Sequence, residues 1–265
     1  MFTGGLPMRF GIISDIHGNL VALQAVLNDL DRFDIDRLIC LGDVVGYGPD
    51  SDACIDLVRD RDAITVAGNH EEALCRPELA CRFNTTAREA IDWTRNSFIT
   101  HRPELLREMG DLPGMVYFGE TLMCVHDTPV PSGRGYLLGA HEAAHAFAGV
   151  DARICFVGHT HVPVAFRGPG RQVKTTTLVK PSCVDTLRPE HTPKFFLDGA
   201  SRWIINPGSV GQPRDGDVRS AYGILDLESA SFEWRRVSYD IAYAQERAQA
   251  AGLPDSTVRR LAMGA

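Results

Sequence analysis

What the sequence lacks narrows its roles first. No run of about 18 apolar residues is present, so nothing reads as a transmembrane helix. The opening MFTGGLP is too short and too weakly apolar for a secretion signal, and residues 1–7 read as a disordered or extended start ahead of the first strand. There is no basic tail or long basic run, and 27 Lys and Arg against 34 Asp and Glu leave a net charge of −7. That balance argues against nonspecific binding to nucleic acid or to an acidic membrane surface. None of the seven cysteines stands in a CxxC pair, and Cys40, Cys124 and Cys155 lie inside apolar runs, where a free thiol behaves as a small hydrophobe. An odd count with no secretion signal points to reduced thiols and the cytoplasm. No internal repeat, low-complexity segment or linker divides the chain, so residues 1–265 read as one domain.

The pattern that is present begins as β-α-β-α-β. Apolar runs at 8–14, 37–41 and 63–67 predict strands, and apolar residues at helical spacing predict helices over 20–30 and 52–59, the first capped by Asn19. This is the pattern of a largely parallel, helix-covered sheet. Residues 71–113 read as a helical, polar insertion, with Thr85 or Thr86 capping a helix near 87–98 and the whole segment placed to line a site. Met115–Phe118 and Leu122–Val125 form a hairpin around Gly119-Glu120. A helix near 140–148 leads to a strand at 154–157. Runs at 162–166, 172–179, 203–205, 222–227 and 232–237 predict a second, more antiparallel sheet, and two helices over 239–265 close the chain.

Polar side chains with ligand chemistry recur where these strands end. The first is followed by Asp15 and His17, the second by Asp43, the third by Asn69 and His70, the hairpin by His126, and the strand at 154–157 by His159 and His161. In open α/β sheets, ligands bind at the carboxyl ends of strands. Alternation along an extended chain would aim His159 and His161 into one site. Mixed His, Asp and Asn donors suit manganese, iron, zinc, nickel or cobalt better than an all-oxygen magnesium or calcium site. Each histidine alone is more often structural. A carboxylate buried at a strand end is costly without a cation.

In order, Asp15-x-His17, Gly42-Asp43, Gly68-Asn69-His70-Glu71, His126 and Gly158-His159-x-His161 resemble the signature of calcineurin-like metallophosphoesterases. The resemblance spans about residues 9–240. It implies an α/β fold, a two-sheet β-sandwich flanked by helices in four layers (α-β-β-α), and two divalent ions with manganese favoured. Position by position it assigns Asp43 as the bridge, Asp15, His17 and His161 to one ion, and Asn69, His126 and His159 to the other. A hydroxide bridging the ions would attack phosphorus, with His70 assisting the leaving oxygen. Gly42-Asp43-Val-Val-Gly46-Tyr47-Gly48-Pro49 and Ile205-Asn206-Pro207-Gly208-Ser209-Val210-Gly211-Gln212-Pro213-Arg214 resemble one bacterial and archaeal branch of predicted phosphodiesterases and phosphatases, the second reading as a Pro-Gly turn near the metals at least as readily as a substrate contact. One departure matters. Protein phosphatases and diadenosine tetraphosphate hydrolases of the family typically carry Asp-Arg-Gly after the bridging aspartate, whereas this chain has Gly46-Tyr47-Gly48. Asp127 after His126 is a second departure, read as local capping or as a tuner of metal affinity.

These residues predict hydrolysis of a small phosphodiester, with phosphomonoester, nucleotide or protein phosphatase activity as alternatives and a non-catalytic metal-dependent scaffold as another. Tyr47, Arg134 and Arg214 are candidate substrate contacts. His141-Glu142-Ala-Ala-His145 matches the HExxH metalloprotease motif but reads as a polar surface helix. His101 and His191 belong to no constellation.

Overall fold

Along β1 (Arg9–Ile13) the side chains alternate between two cores. Phe10 and Ile12 face a cluster that includes Ile39, Phe156, Trp203 and Phe232, while Ile13 faces Leu23, Val26 and Leu27 of α1 (Leu20–Leu30). A strand buried on both faces must be apolar throughout, which is why it reads as a continuous run. The computed structural model describes residues 8–130, 135–170 and 179–265.

Two six-stranded sheets pack face to face. In the first, β3 (Ile64–Thr65), β2 (Arg37–Cys40) and β1 run parallel, followed by antiparallel β11 (Ser220–Asp226), β12 (Ser231–Val237) and β9 (Lys194–Phe196). In the second, β4 (Met115–Phe118) pairs antiparallel with β5 (Leu122–Val125). Then β5, β6 (Ile154–Phe156) and β10 (Arg202–Asn206) run parallel, and β7 (Val164–Gly168) and β8 (Asp185–Leu187) complete the sheet antiparallel. Burying inter-sheet side chains such as Ile12, Phe156 and Phe232 contributes about 2–3 kcal/mol each. The outer face of the first sheet carries α1 and α2 (Ser51–Asp60). The outer face of the second carries α6 (Ala140–Ala146) and Phe147. The four-layer α-β-β-α sandwich is therefore present, and it sets three parallel strands of each sheet with their carboxyl ends to one site.

Several sequence expectations need correction. The C-terminal strands do not form a sheet of their own: β11 and β12 return to the first sheet beside β1, while β7, β8 and β10 join the second. The strand expected from Val162 begins at Val164, and nearly all of the one expected over 172–179 lies outside the described residues, as does the 1–7 start. Strands β8 and β9 are short and half-exposed, and carry too little apolar alternation to be read. In the insertion, α3 (Asn69–Cys75), a 3-10 turn (Pro77–Arg82), α4 (Thr85–His101) and α5 (Glu104–Gly110) pack side by side. The cap of α4 is Asn84, whose Oδ1 accepts from the Ala87 amide at 2.9 Å, rather than Thr85 or Thr86. Helices α7 (Ile241–Ala250) and α8 (Asp255–Leu261) end the chain, and among the described residues no helix is long and apolar enough to cross a membrane.

Candidate metal centre

The candidate ligands leave their strands through left-handed backbone. Among the described residues, eight non-glycine positions have positive φ, and six of them are Asp15, His17, Asp43, Tyr47, His159 and His161, at 51–67°. Such backbone costs about 1–3 kcal/mol per residue and persists where surrounding contacts over-determine it. The contacts here are loop-to-loop: Asp15 N donates to Gly42 O, His17 N to Asp43 O, and Gly18 N to Val44 O, at 2.8–3.0 Å. This also corrects the geometry expected for His159 and His161. They converge because the chain turns through left-handed residues after β6, and strand alternation plays no part.

The carboxylates and imidazoles meet at a few atoms. His161 Nε2 lies 3.2 Å from Asp15 Oδ1 and 3.1 Å from His17 Nε2. Asp43 Oδ2 lies 3.7 Å from His17 Nε2 and 3.2 Å from His126 Nε2, and the latter is also 3.2 Å from Asn69 Oδ1. Asp15, His17 and His161 form one cluster of donor atoms, and Asp43, His126 and His159 form another. A third grouping, His17, Asp43 and His70, shows that His70 reaches the same centre. Each carboxylate divides its oxygens. Asp15 Oδ2 accepts from Ser14 Oγ and the His159 amide, and Asp43 Oδ1 accepts from the His70 amide. The other oxygen of each faces the imidazoles, and buried Asp15 Oδ1 has no hydrogen-bond partner.

Backbone carbonyls fix the tautomers. A carbonyl only accepts, so His17 Nδ1 must donate to Val45 O, His126 Nδ1 to Leu41 O and His161 Nδ1 to Gln212 O, at 2.6–3.0 Å. Nε2 of each is left to present a lone pair to a cation, the usual outer contact of a metal-binding histidine. Burial holds the imidazoles of His17 and His161 well below the usual range, aided by His70 on His17, by His17 on His161 and by Arg214 on both, and against the pull of Asp43. Burial pulls His126 down too, but Asp43, Asp15 and Glu71 overcome it and push it up to about 10. A divalent cation and that proton compete for the same Nε2. Burial raises Asp15 to about 6 against the pull of His126. A fully buried carboxylate oxygen without a donor, among inward-facing imidazole nitrogens, is a donor set that fits divalent ions.

One brace around the cluster was not read from the sequence, and a second was read only in part. Glu71, fully buried, accepts from the amides of Asp43, Val44, Val45 and Gly68 at 2.7–3.2 Å, fastening the loop after β2 to the start of α3. Its signal was a glutamate at the third helical position, where a side chain can reach back to the preceding backbone. The Asn206–Arg214 loop, read as a structural turn at least as readily as a substrate contact, is a brace over most of its length. Asn206 Nδ2 donates to Gly158 O, Ser209 Oγ to Asp15 O, and the Val210 and Gly211 amides to Ser14 O and Asp15 O.

A cavity of about 250 Å³ opens in front of the donors. Tyr47 and Arg214 both line it, with the guanidinium 5.8 Å from the Tyr47 ring. Arg134 lies outside the described residues. Phe83 and Tyr136 cover two imidazoles, Phe83 over His70 at 4.7 Å and Tyr136 stacked on His159 at 4.6 Å between centroids. Asp127 Oδ1 takes the Thr128 and Gly135 amides, so local capping is its visible role. His141, Glu142 and His145 lie exposed on α6, their imidazoles 5.3 Å apart, and join no group of three potential ligands among the described residues.

His70 differs from the locked histidines, because its buried Nδ1 has no partner. A Cβ at Gly46, which has φ +82°, would stand 2.3 Å from that nitrogen. Gly46→Ala must therefore shift His70, and since a misplacement near 1 Å can cost about 10²-fold, turnover should fall by that order. Near-wild-type turnover by a folded Gly46→Ala protein would show that the position of His70 is immaterial.

The calcineurin-like phosphoesterase superfamily domain matches residues 8–230. An uncharacterised protein of Methanocaldococcus jannaschii is 34% identical over 256 residues, covering 96% of this chain and 97% of that protein. The crystal structure of a metallophosphoesterase from Sphaerobacter thermophilus is similar at 39% identity and a TM-score of 0.80, over 98% of this chain and 100% of that one. A hypothetical protein from Pyrococcus horikoshii shares the fold at 15% identity and a TM-score of 0.75, over 97% of this chain and 99% of its own. With the match extending from the first strand into the last hairpin, this chain belongs to the calcineurin-like phosphoesterase superfamily.

Proposed function

We propose that the protein is a cytoplasmic, dinuclear metal-dependent hydrolase of small phosphodiesters. The observation that carries this reading is the pair of adjacent donor clusters, Asp15/His17/His161 and Asp43/His126/His159, with Asp43 Oδ2 3.7 Å from His17 Nε2, beside one cavity. Asp15, His17, His161 and Asp43 would hold one ion, and Asn69, His126, His159 and Asp43 the other, with manganese favoured among manganese, iron, zinc, nickel and cobalt. When bound, such ions supply Lewis acidity and lower the pKa of water. The likeness to the Sphaerobacter metallophosphoesterase supports the assignment.

The chain's own groups act around that centre. Arg214, held by Gln212 Oε1 at 2.8 Å and making no ion pair among the described residues, offers one positive charge to a non-bridging phosphoryl oxygen. A phosphodiester carries one negative charge at phosphorus, which that single guanidinium matches. Burial pulls His70 down to about 4, so at neutral pH it is an uncharged imidazole that donates an N–H to the leaving oxygen. Phe83 and Tyr136 limit access of water to the histidines they cover. All seven cysteines are free thiols, which suits the cytoplasm.

The test is initial-rate hydrolysis of an aryl phosphodiester and the matching monoester over a panel of divalent metals, with His70→Asn beside the wild type. Diester turnover that requires metal and falls about 10²-fold in His70→Asn is expected. A monoester preference would make the protein a phosphatase, and metal binding without turnover of either ester would make it a scaffold.

A further inference from the structure

The cavity is charged at two separate places. Arg214 stands at the inner end, where its charge bears on Asp15, His17, His70, His159 and His161. Arg82 lines the same cavity from the helical insertion, as the last residue of the 3-10 turn before α4. Arg82 is exposed, whereas Arg214 is half-buried with its Nε buried and its guanidinium held by Gln212 and Tyr47, so Arg82 marks the outer part of the cavity and Arg214 the inner part.

Arg82 is exposed and has no hydrogen-bond or ion-pair partner among the described residues. Several other surface arginines are drawn into pairs, Arg59 and Arg102 with Asp56, Arg219 with Asp217, and Arg247 with Asp50. Asp127, the carboxylate on the facing wall, has one oxygen committed to the Thr128 and Gly135 amides. Phe83, the residue after Arg82, also lines the cavity and covers His70, and its ring cannot satisfy an anion. A substrate with charge only at its reacting phosphorus would leave Arg82 without a function.

We propose that Arg82 marks a second anion subsite, and that the natural substrate is a phosphodiester whose outward ester arm carries a further negative group, a phosphate or a carboxylate. The inference rests on the phosphodiesterase reading above. Arg82 is a specificity-determining residue in this account: it grips the distal group while the reacting phosphoryl group lies near Arg214.

Three chromogenic diesters test it, all releasing para-nitrophenol and differing in the other arm: ethyl, carboxyethyl or phosphonoethyl. With metal saturating, the wild type should favour an anionic arm over ethyl by about five- to tenfold in kcat/KM, mainly through KM. Arg82→Gln should bring that ratio to about one, and Arg82→Lys should keep part of it. Arg37→Gln, at an exposed arginine outside the cavity, should leave the ratio intact. The arm with the larger ratio identifies phosphate or carboxylate as the distal group. A wild-type ratio near one overturns the proposal, as does a preference that survives Arg82→Gln. Failure to turn over any of the three removes the phosphodiesterase reading itself, and the subsite with it.

Discussion

Asp43→Asn is expected to lower metal-dependent turnover by about 10³-fold or more, equivalent to about 4 kcal/mol of transition-state stabilisation, and to reduce bound metal. The side chain keeps its shape in this change, so the cost comes from charge and hydrogen-bond polarity. Asp43 Oδ1 accepts from the His70 amide, while Oδ2 faces His126 and His17 Nε2. An asparagine has one acceptor and one donor end. If its oxygen stays on the His70 amide, an NH₂ group is turned toward His17 and His126 Nε2, where the proposed cations would bind. If it flips, two N–H donors oppose each other at His70 and the loop must move. Either way the two ions of the proposed centre would lose a shared anionic donor. Metal content by elemental analysis, circular dichroism and steady-state rates of the folded variant test this. Turnover within tenfold of wild type at unchanged metal dependence would remove Asp43 from its bridging role.

The positions of the candidate ligands were legible because they obey a short-range rule: an apolar run ends and a polar ligand type follows. Asp15, Asp43, Asn69, His126 and His159 were placed that way. The backbone that aims them was not legible, since nothing local marks Asp15, His17 or His161 as left-handed; loop-to-loop hydrogen bonds impose it. Sheet membership failed for a related reason. β1 pairs with β11, with Phe10 opposite Leu225, and no periodicity within either strand encodes so distant a partner. The helical insertion was read as a possible wall of the site, and Arg82, Phe83, Asn84 and Ala87 do line the cavity. The sequence offered no means of telling Arg82, which is unpaired, from the paired arginines around it.

Glu71→Gln is expected to destabilise the protein by roughly 3 kcal/mol, which for a domain of this size lowers Tm by about 6–12 °C. Oε1 accepts from Val44 and Val45, and Oε2 from Asp43 and Gly68, so both oxygens are pure acceptors, each shared by two amides. Burial, with the nearby Asp43 charge, raises this carboxyl to about 7, yet neither oxygen has a neighbour able to accept a proton from it. Glutamine therefore has no good orientation: its NH₂ must confront two N–H donors wherever it points, at a site with no access to water. The loop that carries Asp43 would be released from α3, and activity should fall further than the stability change alone would give at a temperature where the variant is folded. Gly68 leaves little room for adjustment, because a Cβ there would stand 2.1 Å from Asp43 Oδ1. A thermal melt within about 2 °C of wild type, with turnover retained, would show that Glu71 does not hold the bridging carboxylate in place.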